Sequence, residues 1–149
     1  MAHQEYELLY IHRTYCASLK FYSSAKLLSF TTLAKTPLIK DALLQLSEYL
    51  RGERKKFDIP FRMRGTEFQI QVWKVLQNIP YGETRSYKQI AEAIGNPKAV
   101  RAIGMANTRN PLLIVIPCHR VIGKDGSLVG YGEGIEMKEF LLRLEKSLP

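Results

Sequence analysis

Between Thr66 and Asn107 the chain signals helix starts and stops so closely that it can build little there except short helices meeting at sharp turns. Thr66 with Gln69 is a capping box, in which each side chain accepts the other residue's backbone N–H. It opens a helix whose apolar face is Phe68, Val72, Trp73, Leu76 and Ile79. Pro80, Tyr81 and Gly82 end that helix. Ser86 with Gln89 repeats the signal, and Ile90, Ala91 and Ile94 give a second helix its inward face until Gly95 stops it. Asn96 and Pro97 then restart a third helix that runs through Val100, Ile103 and Ala106 to about Asn107. Two short helices joined by a tight turn have the shape of a helix-turn-helix, whose second helix lies in a groove of DNA. Here the second helix carries Lys98, Arg101 and Arg109 around the small residues Ala102, Gly104 and Ala106, which let a duplex approach the backbone. An ordinary helical hairpin, with its small residues serving packing, is the competing reading.

The first half has a different period. Residues 6–12, 17–23 and 26–33 are rich in aromatic and β-branched residues and partly alternate, as strands of an antiparallel sheet do. Thr36 and Pro37 then read as an N-cap and first helical residue. Leu38, Ile39, Ala42, Leu43, Leu46, Tyr49 and Leu50 follow at helical spacing before Gly52. Residues 51–58 are charged and aperiodic, a candidate boundary between lobes. The expected class is therefore α+β in two lobes: residues 1–60 with a sheet and a helix, and a mostly helical lobe over residues 61–149.

With 149 residues and 46% hydrophobic content the chain can bury a core of its own. No apolar run approaches the roughly 20 residues of a bilayer span, and the start "MAHQEYELLY" lacks the basic and apolar regions of a signal peptide. No membrane partner and an intracellular setting are expected, cytoplasmic or, in a eukaryote, nuclear. Two cysteines, Cys16 and Cys118, are too few for a disulfide framework, and neither they nor His3, His12 and His119 show a metal-ligand spacing, so no metal is expected. The net charge of +8 suits a polyanionic partner or simply a solvated basic surface.

The chemistry concentrates at "IVIPCHRVIG". Residues 111–117 form an apolar run of strand length bounded by prolines, and Cys118 lies where it leaves the core. Neighbouring residues on a strand face opposite ways, so a bend after Pro117 is needed to bring His119 to the thiol. With that bend, imidazole and Arg120 beside the sulfur would favour thiolate, the nucleophilic form. The bland alternative is an inert buried cysteine.

The flanks decide between these. "NPLLIVIPCHRVIGKDGSLVGYGEG" closely resembles the active-site segment of the O6-alkylguanine-DNA alkyltransferases. The resemblance extends from about Thr66 to Glu145, taking in "VWKVLQNIPYGETRSYKQIAEAIGNPKAVRAIGMA". In the N-terminal half only the order of strands then helix agrees, which is consistent with that family's small RNase H-like lobe.

The resemblance implies that Cys118 takes the alkyl group from O6-alkylguanine, and from O4-alkylthymine, in duplex DNA, once and irreversibly, without a cofactor and as a monomer. It implies that His119 acts on Cys118 through a water, with Glu145 holding the imidazole, and that Tyr87 donates a proton to the departing base. Asn110 matches the asparagine that braces the turn before the active-site segment. Tyr87, Pro117, Val121, Tyr131 and Gly132 would line the base pocket. Arg101 would fill the place of the extruded nucleotide, with minor-groove and phosphate contacts from Ser86, Lys88, Asn96, Lys98, Ala102, Gly104 and Lys124.

Two positions depart from the family pattern. Gly132 stands where a polar residue is frequent, ahead of Glu133, and Thr108 stands where a basic residue is common, with Arg109 next to it. Rival readings are a non-catalytic alkyltransferase-like binding protein, in which another residue replaces the thiol, and a transcriptional helix-turn-helix module, which would need neither Tyr87 nor Glu145. A cysteine hydrolase would need an oxyanion loop that is not evident.

Overall fold

The computed structural model describes residues 37–132 and 134–148, so the three strands expected over 6–33 and the cap Thr36 lie outside the described residues. The chain divides into two compact units, Met1–Arg62 and Met63–Pro149. In the first, helix α1 (Pro37–Leu50) starts at the proline and buries Ile39, Ala42, Leu43 and Tyr49. Residues 51–58 return along it. Gln45, buried in α1, donates to the Asp58 carbonyl at 3.0 Å and accepts its N–H at 2.8 Å, while the Tyr49 and Phe57 rings meet at 5.4 Å.

The second unit is mixed but dominated by helices, as the spacing of its start signals requires. Helix α2 (Glu67–Gln77) opens on the Thr66–Gln69 capping box with both bonds made. Trp73 and Val72 anchor it in the core, and the Trp73 indole donates to the Ala106 carbonyl at 3.0 Å. A two-residue strand β1 (Arg85–Ser86) leads into α3 (Tyr87–Ala93), whose capping box, Ser86 with Gln89, is likewise complete. Gly95, at φ +76°, ends α3 in a left-handed turn that a side chain would strain.

The next helix departs from expectation. Asn96 and Pro97 do not restart it; they and Lys98 lie in a turn, and α4 spans Val100–Thr108 with Ala99 as an N-cap that offers no side-chain bond. Ile103, Ala106 and Asn107 face inward, and Arg101, Ala102, Met105 and Thr108 face solvent.

The apolar run 111–117 is not a strand either. Leu113 and Ile116 form an isolated bridge around a turn in which Ile114 takes φ +71°. The run is buried because it is wrapped in core, not because it pairs in a sheet. The chain then makes a 3-10 turn (Cys118–Arg120) and strand β2 (Val121–Ile122), which pairs parallel with β1 through Arg85 opposite Val121 and Ser86 opposite Ile122. Helix α5 (Ile135–Leu144) closes the unit, burying Met137, Lys138, Leu141 and Leu142. Among the described residues no helix is long and apolar enough to cross a membrane.

Candidate active site

The bend demanded after Pro117 is the 3-10 turn, and it sends Cys118, His119 and Arg120 all inward. Asn110 holds the approach. Its Nδ2 donates to the Ile116 carbonyl at 2.7 Å and its Oδ1 accepts the Leu112 N–H at 2.9 Å, so one amide fixes both ends of the turn before the thiol. The Cys118 N–H donates back to Ile116 at 2.8 Å.

Arg120 does not serve the sulfur. It turns to Glu145, donating through Nε to Oε2 at 2.9 Å and through a terminal nitrogen to Oε1 at 2.8 Å. Its other terminal nitrogen donates to the Ile79 carbonyl at 2.6 Å. Burial pushes the Cys118 thiol up to about 11, against the opposing influence of the Asn110 amide, the Lys138 ammonium and its own N–H. The thiol is therefore protonated near neutral pH, contrary to the expectation that Arg120 and imidazole hold it as thiolate. Ionisation must be driven by a base.

His119 follows Cys118 in the same turn. Its Nε2 lies 2.8 Å from Glu145 Oε1, and both side chains are fully buried. Burial would raise the Glu145 carboxyl, but the bonds from His119 and Arg120 outweigh it and hold the group at about 2. Burial lowers His119 below its ordinary value, with Glu145 pulling the other way. Glu145 reaches this position as the C-cap residue of α5: it keeps helical dihedrals, φ −79° and ψ −1°, and so continues the buried stripe of Lys138, Leu141 and Leu142.

Tyr87, first residue of α3 and buried, is near enough to Cys118 to feel its charge. Its hydroxyl donates to the Val129 carbonyl at 2.8 Å. Burial raises the phenol, the Cys118 thiolate would raise it further, and the Asn107 amide acts in the opposite direction. Gly130 follows at φ +69°, and a Cβ there would stand 2.8 Å from the Tyr87 hydroxyl, so the loop closes on this phenol only as glycine. Lys138, with no exposed surface, donates to the carbonyls of Val121 and, at 2.9 Å, of Val129. It also lies 5.7 Å from the Tyr87 ring centroid. No motif in the sequence singles it out. Burial lowers it to about 8, and the facing Cys118 opposes that.

Of the expected pocket residues, Pro117, Val121 and Tyr131 are buried, and the Val121 carbonyl accepts from Lys138. Gly132 is exposed, and a Cβ there would touch only the Thr108 carbonyl at 3.9 Å. The residues expected on DNA lie apart from this interior. Arg101 and Ala102 are exposed on α4, Gly104 has open space about it, and Asn96 and Lys98 are exposed in the turn before α4. Ser86 is engaged as the α3 cap, exposed Lys88 lies 3.7 Å from Glu92, and Lys124 is exposed just after β2. Among the described residues no group of three His, Cys, Asp or Glu side chains could hold a metal ion.

A buried cysteine in a 3-10 turn, followed at once by a histidine bound to a carboxylate, is an arrangement suited to the class of proteins that react covalently through a thiol. Residues 67–147 match the family model described as 6-O-methylguanine DNA methyltransferase, DNA binding domain, and the chain belongs to that family. It is 57% identical over 108 residues to the methylated-DNA–protein-cysteine methyltransferase of Methanosarcina acetivorans, covering 72% of this chain and 69% of that one. The constitutive one of Bacillus subtilis is 56% identical over 113 residues, covering 75% and 68%. The crystal structure of Mycobacterium tuberculosis O6-methylguanine methyltransferase superposes with a TM-score of 0.70 at 56% identity, covering 73% of this chain and 66% of that chain. The same organism's protein in complex with DNA gives 0.72. The chain spans about two thirds of the length of these relatives.

Proposed function

We propose that this protein repairs DNA by moving the alkyl group of O6-alkylguanine, and of O4-alkylthymine, onto Cys118. The observation that carries the reading is the buried turn in which Cys118 precedes a histidine bound to Glu145. A thiol held near 11 is inert until a base takes its proton. His119 does so through a water, by way of the ring nitrogen that Glu145 does not hold, and Glu145 stabilises the imidazolium. The sulfur then attacks the alkyl carbon, the S–C bond forms, and the C–O6 bond breaks with its electron pair going to the base. Tyr87 protonates that leaving group. The product is a thioether, which no group beside it can cleave, so each molecule reacts once.

The target atom lies inside the stack, so the nucleotide has to be extruded. In this reading α3 and α4 act as a helix-turn-helix on the minor groove, Arg101 fills the vacated place, and Ala102 and Gly104 let the duplex come close. Asn96, Lys88, Lys98 and Lys124 bind phosphates without regard to sequence. The pocket is walled by Tyr87, Pro117, Val121, Tyr131 and Gly132. The N-terminal part, residues 1–60, is the family's small RNase H-like lobe, and residues 61–149 carry the chemistry in a two-lobed, cytoplasmic monomer.

The test is intact mass after incubation with duplex DNA containing O6-methylguanine. A stoichiometric gain of one methyl group on Cys118 is expected, and Cys118→Ser should bind the duplex yet gain nothing, because a serine hydroxyl is far less acidic than a thiol. Methylation at another residue, or transfer by the serine variant, would overturn the assignment.

A further inference from the structure

Asn107 is the one polar residue on the inward face of α4, 3% exposed, and neither its amide nitrogen nor its amide oxygen makes a hydrogen bond among the described residues. Burying an amide in that condition costs about 1–3 kcal/mol, which an apolar side chain of the same shape would avoid. Such a group calls for an explanation in the working of the site. Its neighbour across the α3–α4 interface is the Tyr87 hydroxyl. The amide is near enough to ease ionisation of that phenol, yet in the resting state its N–H makes no hydrogen bond among the described residues, while the phenol donates its own proton to the Val129 carbonyl at 2.8 Å. The other charged or titratable groups facing this phenol are Cys118, from the 3-10 turn, and Lys138, from α5.

We propose that Asn107 is a positioning residue that receives the phenolate: its amide N–H donates to the Tyr87 oxygen as that oxygen gives up its proton to the departing base. This rests on the reading of Tyr87 as proton donor and deepens it. The balance is complete. The Cys118 proton passes to His119, the C–O6 electron pair goes to the base, and the Tyr87 proton neutralises the base. The charges left on imidazolium and phenolate are then cancelled by a proton passing between them through solvent. During the step the phenolate would otherwise sit opposite only the π-face contact of Lys138, whose hydrogen bonds point to Val121 and Val129. A donor left unspent in the resting state is stronger in the transition state than in the ground state, which is the condition for accelerating the step.

The experiment is a double-mutant cycle read as single-turnover transfer from O6-methylguanine in duplex DNA. Asn107→Leu should slow transfer about tenfold, the worth of one hydrogen bond to a developing charge. It should cause no further slowing in a Tyr87→Phe background, and it should melt at the same or a higher temperature. Asn107→Ala is a second variant that must show the same coupling. In protein labelled at tyrosine Cζ, the Tyr87 resonance should titrate at higher pH in Asn107→Leu than in the parent. Equal slowing in both backgrounds would mean that Asn107 touches the base or supports the fold, and would overturn the proposal while leaving Tyr87 its role. A Tyr87→Phe protein as fast as the parent would instead remove the donor role and this inference together, with methylation of Cys118 still standing.

Discussion

The two sides of Cys118 are built on opposite terms. Toward His119 every carboxylate oxygen of Glu145 is bonded, Arg120 is fixed by three hydrogen bonds, and all three side chains are buried. Toward Tyr87 the polar groups lean on backbone carbonyls, Val129 serving both Tyr87 and Lys138 and Val121 of β2 serving Lys138, and Asn107 makes no hydrogen bond among the described residues. The difference matches the task that the proposed function gives each side. A proton relay from the thiol works the same way for every substrate and gains from being rigid, whereas a wall that admits an extruded base must exchange its contacts for those of the ligand. Rigidity on one side anchors the nucleophile while the other stays open to substitution.

The largest break in this comparison is Glu145→Ala. It leaves the Arg120 guanidinium buried without its carboxylate, and removing one partner of a buried pair costs about 3–5 kcal/mol. Denaturant unfolding should show that loss. The same pair sets the acid limit of the protein. Glu145 is held at about 2, below its ordinary 4.5, so its contribution is complete above 4.5 and fades as pH falls toward 2. His119 is lowered from 6.5, so the unfolded chain takes up a proton that the folded one refuses once pH drops below that value. Stability should therefore decline from about pH 6.5 and more steeply below 4.5. A flat profile down to pH 4, or a Glu145→Ala protein as stable as the parent, would mean that the locked side is not locked by this network.

What the sequence could convey follows the same division. The capping boxes at Thr66 and Ser86 are local, two residues three apart, and both are present as read. Features that depend on where a segment stops or what packs over it were not legible. Glu145 on an amphipathic segment reads as solvated surface, although it follows Leu141 by four and Leu142 by three and continues their buried stripe, where Arg120 and His119 await its carboxylate. Lys138 carried a usable signal, since it precedes Leu141 by three and Leu142 by four and so falls on the apolar stripe, but a lysine there is normally discounted. The run 111–117 has the composition of a strand, and nothing local predicts an isoleucine at φ +71°. Asn107 read only as the end of a helix, because an unsatisfied amide is a property of its surroundings.

A smaller break falls on the open side at Gly130. An alanine there must adopt a left-handed φ and place its Cβ 2.8 Å from the Tyr87 hydroxyl, so either the loop or the phenol moves off the Val129 carbonyl. Gly130→Ala should cost about 1–3 kcal/mol and slow transfer, while the His119–Glu145 side stays intact. Thermal unfolding gives the first quantity and single-turnover rate the second. Unchanged values for both would show that the loop can retreat without disturbing the phenol.

The finest test concerns Gly132, two residues further along the same loop. It needs no special backbone freedom, and a Cβ there finds only the Thr108 carbonyl at 3.9 Å, so a side chain fits. Gly132→Ser should leave stability within about 0.5 kcal/mol. Its hydroxyl adds one polar group to the wall, worth about 0.5–1.5 kcal/mol where it finds a partner on the base. On a free base such as O6-benzylguanine, which has no phosphates to hold it, that contact is a large share of the binding. On duplex DNA, where phosphate contacts dominate, it is a small one. The variant should therefore react several-fold faster with the free base at limiting concentration and nearly unchanged with duplex. Equal acceleration on both, or none on the free base, would place residue 132 outside the pocket and restrict the open side to Tyr87, Asn107 and the Val129 carbonyl.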